Sequence, residues 1–436
     1  MPEIAVGAQI FDLIFHPTHS TIYTGLLTGH VKAYAYNEQG NHKRTFSLRP
    51  SKRSCRSLTI DEDGSHLYAV GKSRALNIID TVTEAIDTRV GAHDAPINRI
   101  KYLMPWLLST GDDDGVIKLW DPRQKECTRT YNQHFDYITD FLWLDDKKQL
   151  VATSGDGTLS VMDVRSKKPE PFAQSEDQED ELLSIAAIRG GAKVVVGTQI
   201  GILSIFNRSS GWGDCVDRIP GHPHSVDALC ALPSSIPDVD TSNTILTGSS
   251  DGLVRAVKVL PTKLLGVVTD HGEWPVERIA IGGGANSQLT LDDDSPSSGD
   301  NVDRRKQKDK QNDEEREYPG HPNQGRGRWW AGSVGHEEVL RMTDLEAFFY
   351  EQHHGGVEDV EGDLGDGGDH IDAVEISDAE STEQPEIPEA DSDSSDESDA
   401  PKAKKRKRKP EKDPFVVKKK KGKNTVEADP TFFDGL

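Results

Sequence analysis

The side chains of this 436-residue chain that could do chemistry are scattered, and most lack the company that chemistry requires. His353-His354 and the pair in His222-Pro223-His224 have no further ligands at metal spacing, so they read as solvated loop histidines. Cys55, Cys127, Cys215 and Cys230 form no Cys-x-x-Cys pair and read as small buried hydrophobes in a reducing compartment. Gly282-Gly283-Gly284 is not followed by Lys-Ser/Thr and a helix, which removes a phosphate loop. No Ser/His/Asp nucleophile set assembles, because each candidate Asp already has a role in a turn. What remains is a fork that occurs twice, Asp121-Pro122-Arg123 and Asp163-Val164-Arg165. A guanidinium held there can pair bidentately with a partner's carboxylate. These residues point to binding, with no cofactor and no catalysis.

The elements that hold the forks recur. The clearest unit is Trp106–Asp121, in which Leu107 and Leu108 open a strand, Asp114-Gly115 makes a tight turn and Val116–Trp120 alternates apolar with polar. With Gly115 as anchor, equivalents fall at Gly29, Arg74, Gly157, Gly201 and Gly252, at successive spacings of 45, 41, 42, 44 and 51 residues. That period of about 40–45 belongs to four-stranded propeller blades. An apolar run precedes each anchor as an innermost strand: Ile10–Phe15, Leu58–Ile60, Ile97–Tyr102, Ile138–Trp143, Leu183–Ile188 and Val226–Leu232.

These units resemble the WD-repeat family. Trp120-Asp121 matches its signature dipeptide, and His93, His134 and His222 stand where the family places the His of its Gly-His motif. The resemblance implies a hydrogen-bonded set of His93, Ser109 or Thr110, Asp114 and Trp120 in the third blade. Elsewhere the match is degenerate: Met162 and Val257 replace the Trp, and the first blade lacks the His.

Six blades do not exhaust the pattern. Val276–Ile281 reads as another inner strand, and the repeat resumes at Trp329–Asp344 with Glu338 on the position of Gly115 and Asp344 on that of Asp121. We read one seventh blade split by an insertion rather than a ring of six, since both parts of the unit are present. The expected fold is all-β: a seven-bladed propeller over residues 1–285 and 327–350, a disordered insertion at 286–326 and a disordered tail at 351–436. Arg326-Gly327-Arg328-Trp329-Trp330 pairs basic with aromatic residues as a nucleic-acid patch does. Its register against Trp106 and Leu107 favours a core strand instead.

Charge separates body from tail. The net charge is -23, of which residues 351–400 carry -19 with no Lys or Arg, whereas residues 401–436 carry +8. The remaining -12 argues against a body that binds nucleic acid over a broad surface. Only 34% of residues are hydrophobic and mean hydropathy is -0.62, so part of the chain cannot bury itself. No secretory signal or membrane span is visible, and the chain reads as soluble and intracellular.

Within the acidic stretch, Ser392, Ser394, Ser395 and Ser398 sit in a context that resembles acidophilic (casein kinase 2-like) phosphorylation sites. Lys404, Lys405, Arg406, Lys407, Arg408 and Lys409, then Lys418, Lys419, Lys420 and Lys421, read as nuclear and nucleolar targeting or an RNA-binding arm. The terminal Phe432-Phe433 cluster looks like a short docking motif or an unstructured end.

The propeller, the Met342–Phe349 ending, the acidic stretch, the basic runs and the terminal Phe-Phe together resemble the WD repeat-containing protein 55 family in its fungal form. The resemblance implies a nucleolar protein of large-subunit ribosome biogenesis and rRNA processing. Its expected partners are assembly factors and pre-ribosomal particles, with nonspecific RNA contact by the basic tail. Separately, Trp120-Asp121-Pro122-Arg123 resembles the W-D-x-R box of propellers that dock on a cullin-RING ligase adaptor, with Asp163 and Arg165 as a second copy. The plainer reading of both arginines, solvation of a strand end, is preferred.

Overall fold

A computed structural model describes residues 1–283 and 328–354. Every expected inner strand is present: Ile10–Phe15, Cys55–Ile60, Ile97–Met104, Ile138–Leu144, Leu182–Ile188, Val226–Ala231 and Val276–Gly283. Each opens a four-stranded antiparallel blade, and each borders its neighbour's inner strand until Val276–Gly283 meets Ile10–Phe15. The ring is closed with seven blades. The third blade shows the plan, with Ile97–Met104 followed by Leu107–Asp112, Ile117–Trp120 and Cys127–Tyr131.

The anchors are turns for a stereochemical reason. Gly29, Arg74, Gly115, Gly157, Gly201 and Gly252 all have positive φ, between 59° and 88°. Glycine adopts that region without cost, and only Arg74 does so with a side chain. At Gly115 a Cβ would also lie 2.8 Å from the carbonyl oxygens of His134 and Asp136, on the loop entering the next blade.

The core lies between blades. Among the described residues seven buried apolar clusters form, and each draws from two adjacent blades. Tyr68, Val70 and Leu76 of blade two, for example, pack on Ile97, Ile100, Leu108 and Trp120 of blade three. Burying one such aliphatic side chain contributes about 1.5–3 kcal/mol, so the interfaces dominate the stability. Of the cysteines, Cys55 is buried as expected, but Cys127 is exposed because it starts an outermost strand.

Blade seven is assembled across the sequence gap. Val276–Gly283 pairs with Trp329–Gly335 so that Gly283 meets Trp329, and Trp329–Gly335 pairs with Val339–Asp344. Ala331 opposes Thr343 as Leu108 opposes Trp120, which is the register expected from the overlaid units. Trp330 is buried in the cluster shared with blade one, in keeping with a core strand.

Two parts of this blade were not foreseen. Its outermost strand is Glu3–Ala5 from the chain's start, with Ile4 opposite Leu340. A helix, Leu345–His354, follows Asp344, whose Oδ1 accepts from the amides of Glu346 and Ala347 at 3.1 and 3.2 Å. Leu345 and Phe349 anchor it against blades six and seven. Residues 351–354, expected in the disordered tail, are therefore helical. The rest of that expectation, with residues 286–326, lies outside the described residues.

Candidate docking surfaces

The side chains expected to form a network in blade three do so, with one exchange. Trp120 Nε1 donates to Thr110 Oγ1 at 2.7 Å, Thr110 Oγ1 lies 2.6 Å from His93 Nε2, and His93 Nδ1 lies 2.7 Å from Asp112 Oδ2. The carboxylate is that of Asp112, not Asp114. Asp112 Oδ1 also accepts from the amides of Asp114 and Val116, at 3.1 and 2.8 Å, which holds Asp114 outward in the turn. In blade four the acid does sit immediately before the anchor glycine, where Asp156 meets His134 at 3.0 Å. The pattern therefore shifts by two residues between blades. Thr110 takes the hydroxyl role, and Ser109 faces the Lys101 carbonyl at 3.5 Å.

His222 meets Thr247 at 2.9 Å, and a fourth histidine, His271, meets Ser333 at 2.8 Å and Glu337. Sequence reasoning missed His271. It lies just before an inner strand, as His93 and His134 do, but Trp274-Pro275 lengthens the approach by one residue. Burial lowers the pKa of His93 and His271 against the pull of Asp112 and Glu337, and lowers that of His222 to about 3. These histidines are neutral structural links that satisfy buried groups.

The Asp-x-Arg forks fold back on themselves. Arg123 Nε and Nη2 reach Asp121 at 3.0 and 2.8 Å, and Arg165 reaches Asp163 at 2.9 and 2.7 Å. The alternative reading needs each guanidinium free to fork onto a partner, but its bidentate edge is taken by its own aspartate, in keeping with the preferred reading of a solvated strand end. The arginine side chains remain 61% and 63% exposed. Arg123 lies 4.5 Å over the Trp106 ring and holds Asp121 down to about 2. Both forks lie on the face where third strands end, the same face from which the helix leaves.

A set of charges that the sequence analysis overlooked lines the axis. The third residue of successive inner strands is Asp12, Ser57, Arg99, Asp140, Ser184, Ala228 and Arg278. A register shift immediately precedes each of them. Such bulges re-aim a side chain out of the ladder. Asp12, Ser57, Arg99, Asp140 and Arg278 line an axial cavity of about 350 Å³. Arg99 is 3.6 Å from Asp140, and Arg278 is 3.8 Å from Asp140 and 3.9 Å from Asp12. Burial raises the pKa of both aspartates, and Arg99 opposes the rise. The expectation that each Asp serves a turn fails for these two. The signal was a polar or charged residue two places into an otherwise apolar strand.

Among the described residues, no group of His, Cys, Asp and Glu is placed to hold a metal, and no helix is long and apolar enough to cross a membrane. The basic residues Lys404–Lys409 and Lys418–Lys421, and Ser392, Ser394, Ser395 and Ser398, lie outside the described residues.

The WDR55 family model matches residues 1–288. The chain belongs to the WDR55 family. Relatives of this WDR55 propeller span kingdoms. The WD repeat-containing protein JIP5 of Laccaria bicolor is 66% identical over 81% of this chain and 77% of its own length. The WD repeat-containing protein 55 of Arabidopsis thaliana is 34% identical over 64% of this chain and 76% of its own. That of Rattus norvegicus is 35% identical, over 64% and 70%. The family match ends at 288, whereas blade seven needs Trp329–Asp344, so ring closure depends on residues beyond it.

Proposed function

We propose that this protein is a non-enzymatic nucleolar scaffold of large-subunit ribosome biogenesis and rRNA processing. The propeller binds assembly factors through its two faces. The basic runs at Lys404–Lys409 and Lys418–Lys421 direct the chain to the nucleus and nucleolus and touch RNA through phosphates, with salt-sensitive affinity. Phosphates on Ser392, Ser394, Ser395 and Ser398 deepen the charge of the acidic stretch and tune its pairing with basic partners.

The observation that carries the scaffold reading is how the reactive side chains are spent. His93, His134 and His271 are committed to buried acids, and Arg123 and Arg165 to adjacent aspartates. What the ring offers is surface. The ribosomal assignment is supported by the family resemblance and by the acid-then-base tail.

Affinity purification of the tagged full chain tests it. Pre-60S assembly factors should dominate the eluate. A ligase adaptor that disappears when Arg123 and Arg165 become Ala would replace this reading with that of a cullin-RING substrate receptor.

A further inference from the structure

A groove of about 690 Å³ opens between blades two and three on the face that carries the Asp-x-Arg forks. Its walls are the turns after the inner strands Cys55–Ile60 and Ile97–Met104, together with the turns that end each blade's third strand. Aromatic residues form the floor: Tyr68 and Tyr102 stack at 6.4 Å between centroids, and Trp106 stands at the lip. Five carboxylates surround them, from Asp61, Glu62, Asp63, Asp80 and Asp87. Among the described residues, the only ionic partner of these five is His66, at 2.9 Å from Asp61.

Three observations say what the groove lacks. Tyr68 is only 4% exposed, lines the cavity, and has no hydrogen bond to its hydroxyl among the described residues. The ring is covered while the hydroxyl opens into the groove, so it stands ready to bond a polar group that enters. Burial raises the pKa of Tyr102 to about 12, and Glu62, Asp61 and Asp63 push the same way, which marks the groove's potential as negative. Trp106 is 58% exposed and held at φ 69°, in a two-residue Pro105-Trp106 turn where glycine is the relaxed choice. A bulky residue there strains the backbone without burying its ring. Arg123 already lies over the indole, which shows that the ring accepts a guanidinium.

We propose that this groove is a docking site for an arginine-rich linear segment of a partner protein, with guanidinium groups stacked on Trp106 and Tyr102, hydrogen-bonded to Tyr68 and paired with the acidic rim. Arginine fits better than lysine because its flat group both stacks and offers five donors. The site does not depend on the ribosomal assignment or on the compartment in which the chain works.

Fluorescence anisotropy with the full-length chain tests it, using a labelled Arg-Gly repeat octapeptide and its Lys and citrulline counterparts at 150 mM salt, roughly physiological. The Arg peptide should bind at least about tenfold tighter than the citrulline one. Glu62→Gln with Asp87→Asn should weaken it by about tenfold. Trp106→Gly gives the sharpest result: weaker binding with an unchanged or higher melting temperature, because glycine relaxes the turn. A lower melting temperature with unchanged affinity would make Trp106 merely structural and overturn the proposal. Equal affinity in all groove variants would place the peptide on the acidic stretch at 351–400 and overturn it as well. Self-association that Trp106→Gly abolishes would assign the groove to a second copy instead.

Discussion

Thr110 Oγ1 lies 2.7 Å from Trp120 Nε1 and 2.6 Å from His93 Nε2, so one hydroxyl joins the signature tryptophan to the histidine of the preceding loop. It accepts from the indole and donates to the imidazole, whose Nδ1–H then faces Asp112. Thr110→Val keeps the shape and removes the junction, leaving two buried groups unsatisfied. About 2–4 kcal/mol of stability should be lost. Asp114→Ala should cost less than about 0.5 kcal/mol, because that carboxylate is exposed. Urea unfolding followed by circular dichroism ranks the two, and a larger loss at Asp114 would reverse the assignment of the acid.

The neutral histidines make the fold acid-sensitive. His222 is pushed from 6.5 to about 3 by burial, so below pH 6.5 the unfolded chain binds a proton that the folded chain refuses. Its contribution is complete above that value and is lost as pH falls toward 3. At pH 5 the loss should be about 2 kcal/mol relative to pH 7. Asp156 acts in the same direction lower down, since its contacts with His134 and Thr158 outweigh burial and hold it below its ordinary value. Asp12 and Asp140, raised by burial, act oppositely near pH 4 and above. His222→Gln should flatten the fall in melting temperature between pH 7 and 5; an unchanged slope would refute the linkage.

The insertion should be dispensable to folding. Gly283 and Trp329 are already paired, so replacing residues 286–326 by a short glycine-serine turn removes only closure entropy. Stability should rise by about 1–2 kcal/mol. A variant that fails to fold, as judged by calorimetry, would show that the segment contributes packing.

Removing residues 402–421 should disperse a fluorescently tagged chain from the nucleolus while leaving its melting temperature unchanged. Undiminished nucleolar signal would sink the targeting role. Replacing Ser392, Ser394, Ser395 and Ser398 with Ala should strengthen retention of RNA by the tail in filter binding at low salt, if phosphorylated protein is the comparison.

The ring was legible because a period of some 40 residues, with a left-handed turn in each of the first six units, leaves few alternatives. Even the split blade announced itself, since Trp329, Val339 and Asp344 repeat Trp106, Val116 and Asp121 at the same spacing, with an alternating apolar run between the last two. The Glu3–Ala5 strand was hidden because three residues hold no periodicity and their partner lies 336 residues further along, Ile4 opposite Leu340. The axial charges were hidden for a different reason. A single Asp or Arg in an apolar strand reads as noise until a bulge in every blade turns that position toward the same axis. The histidine partners fell between these cases: the motif gave the donor, but the acid moved from Asp112 to Asp156 relative to the anchor.

The pairing of Ile4 with Leu340 sets an order of events during synthesis. Glu3–Ala5 waits longest for its partner, because Val339–Asp344 leaves the ribosome only after nearly the whole ring has been translated. At roughly 5–20 residues per second the nascent propeller waits on the order of 20–70 s as an open arc with both rims bare. For that interval it is a curved stack of sheets with a sticky edge at each end, and it needs shelter or a partner until the two termini of the folded ring meet.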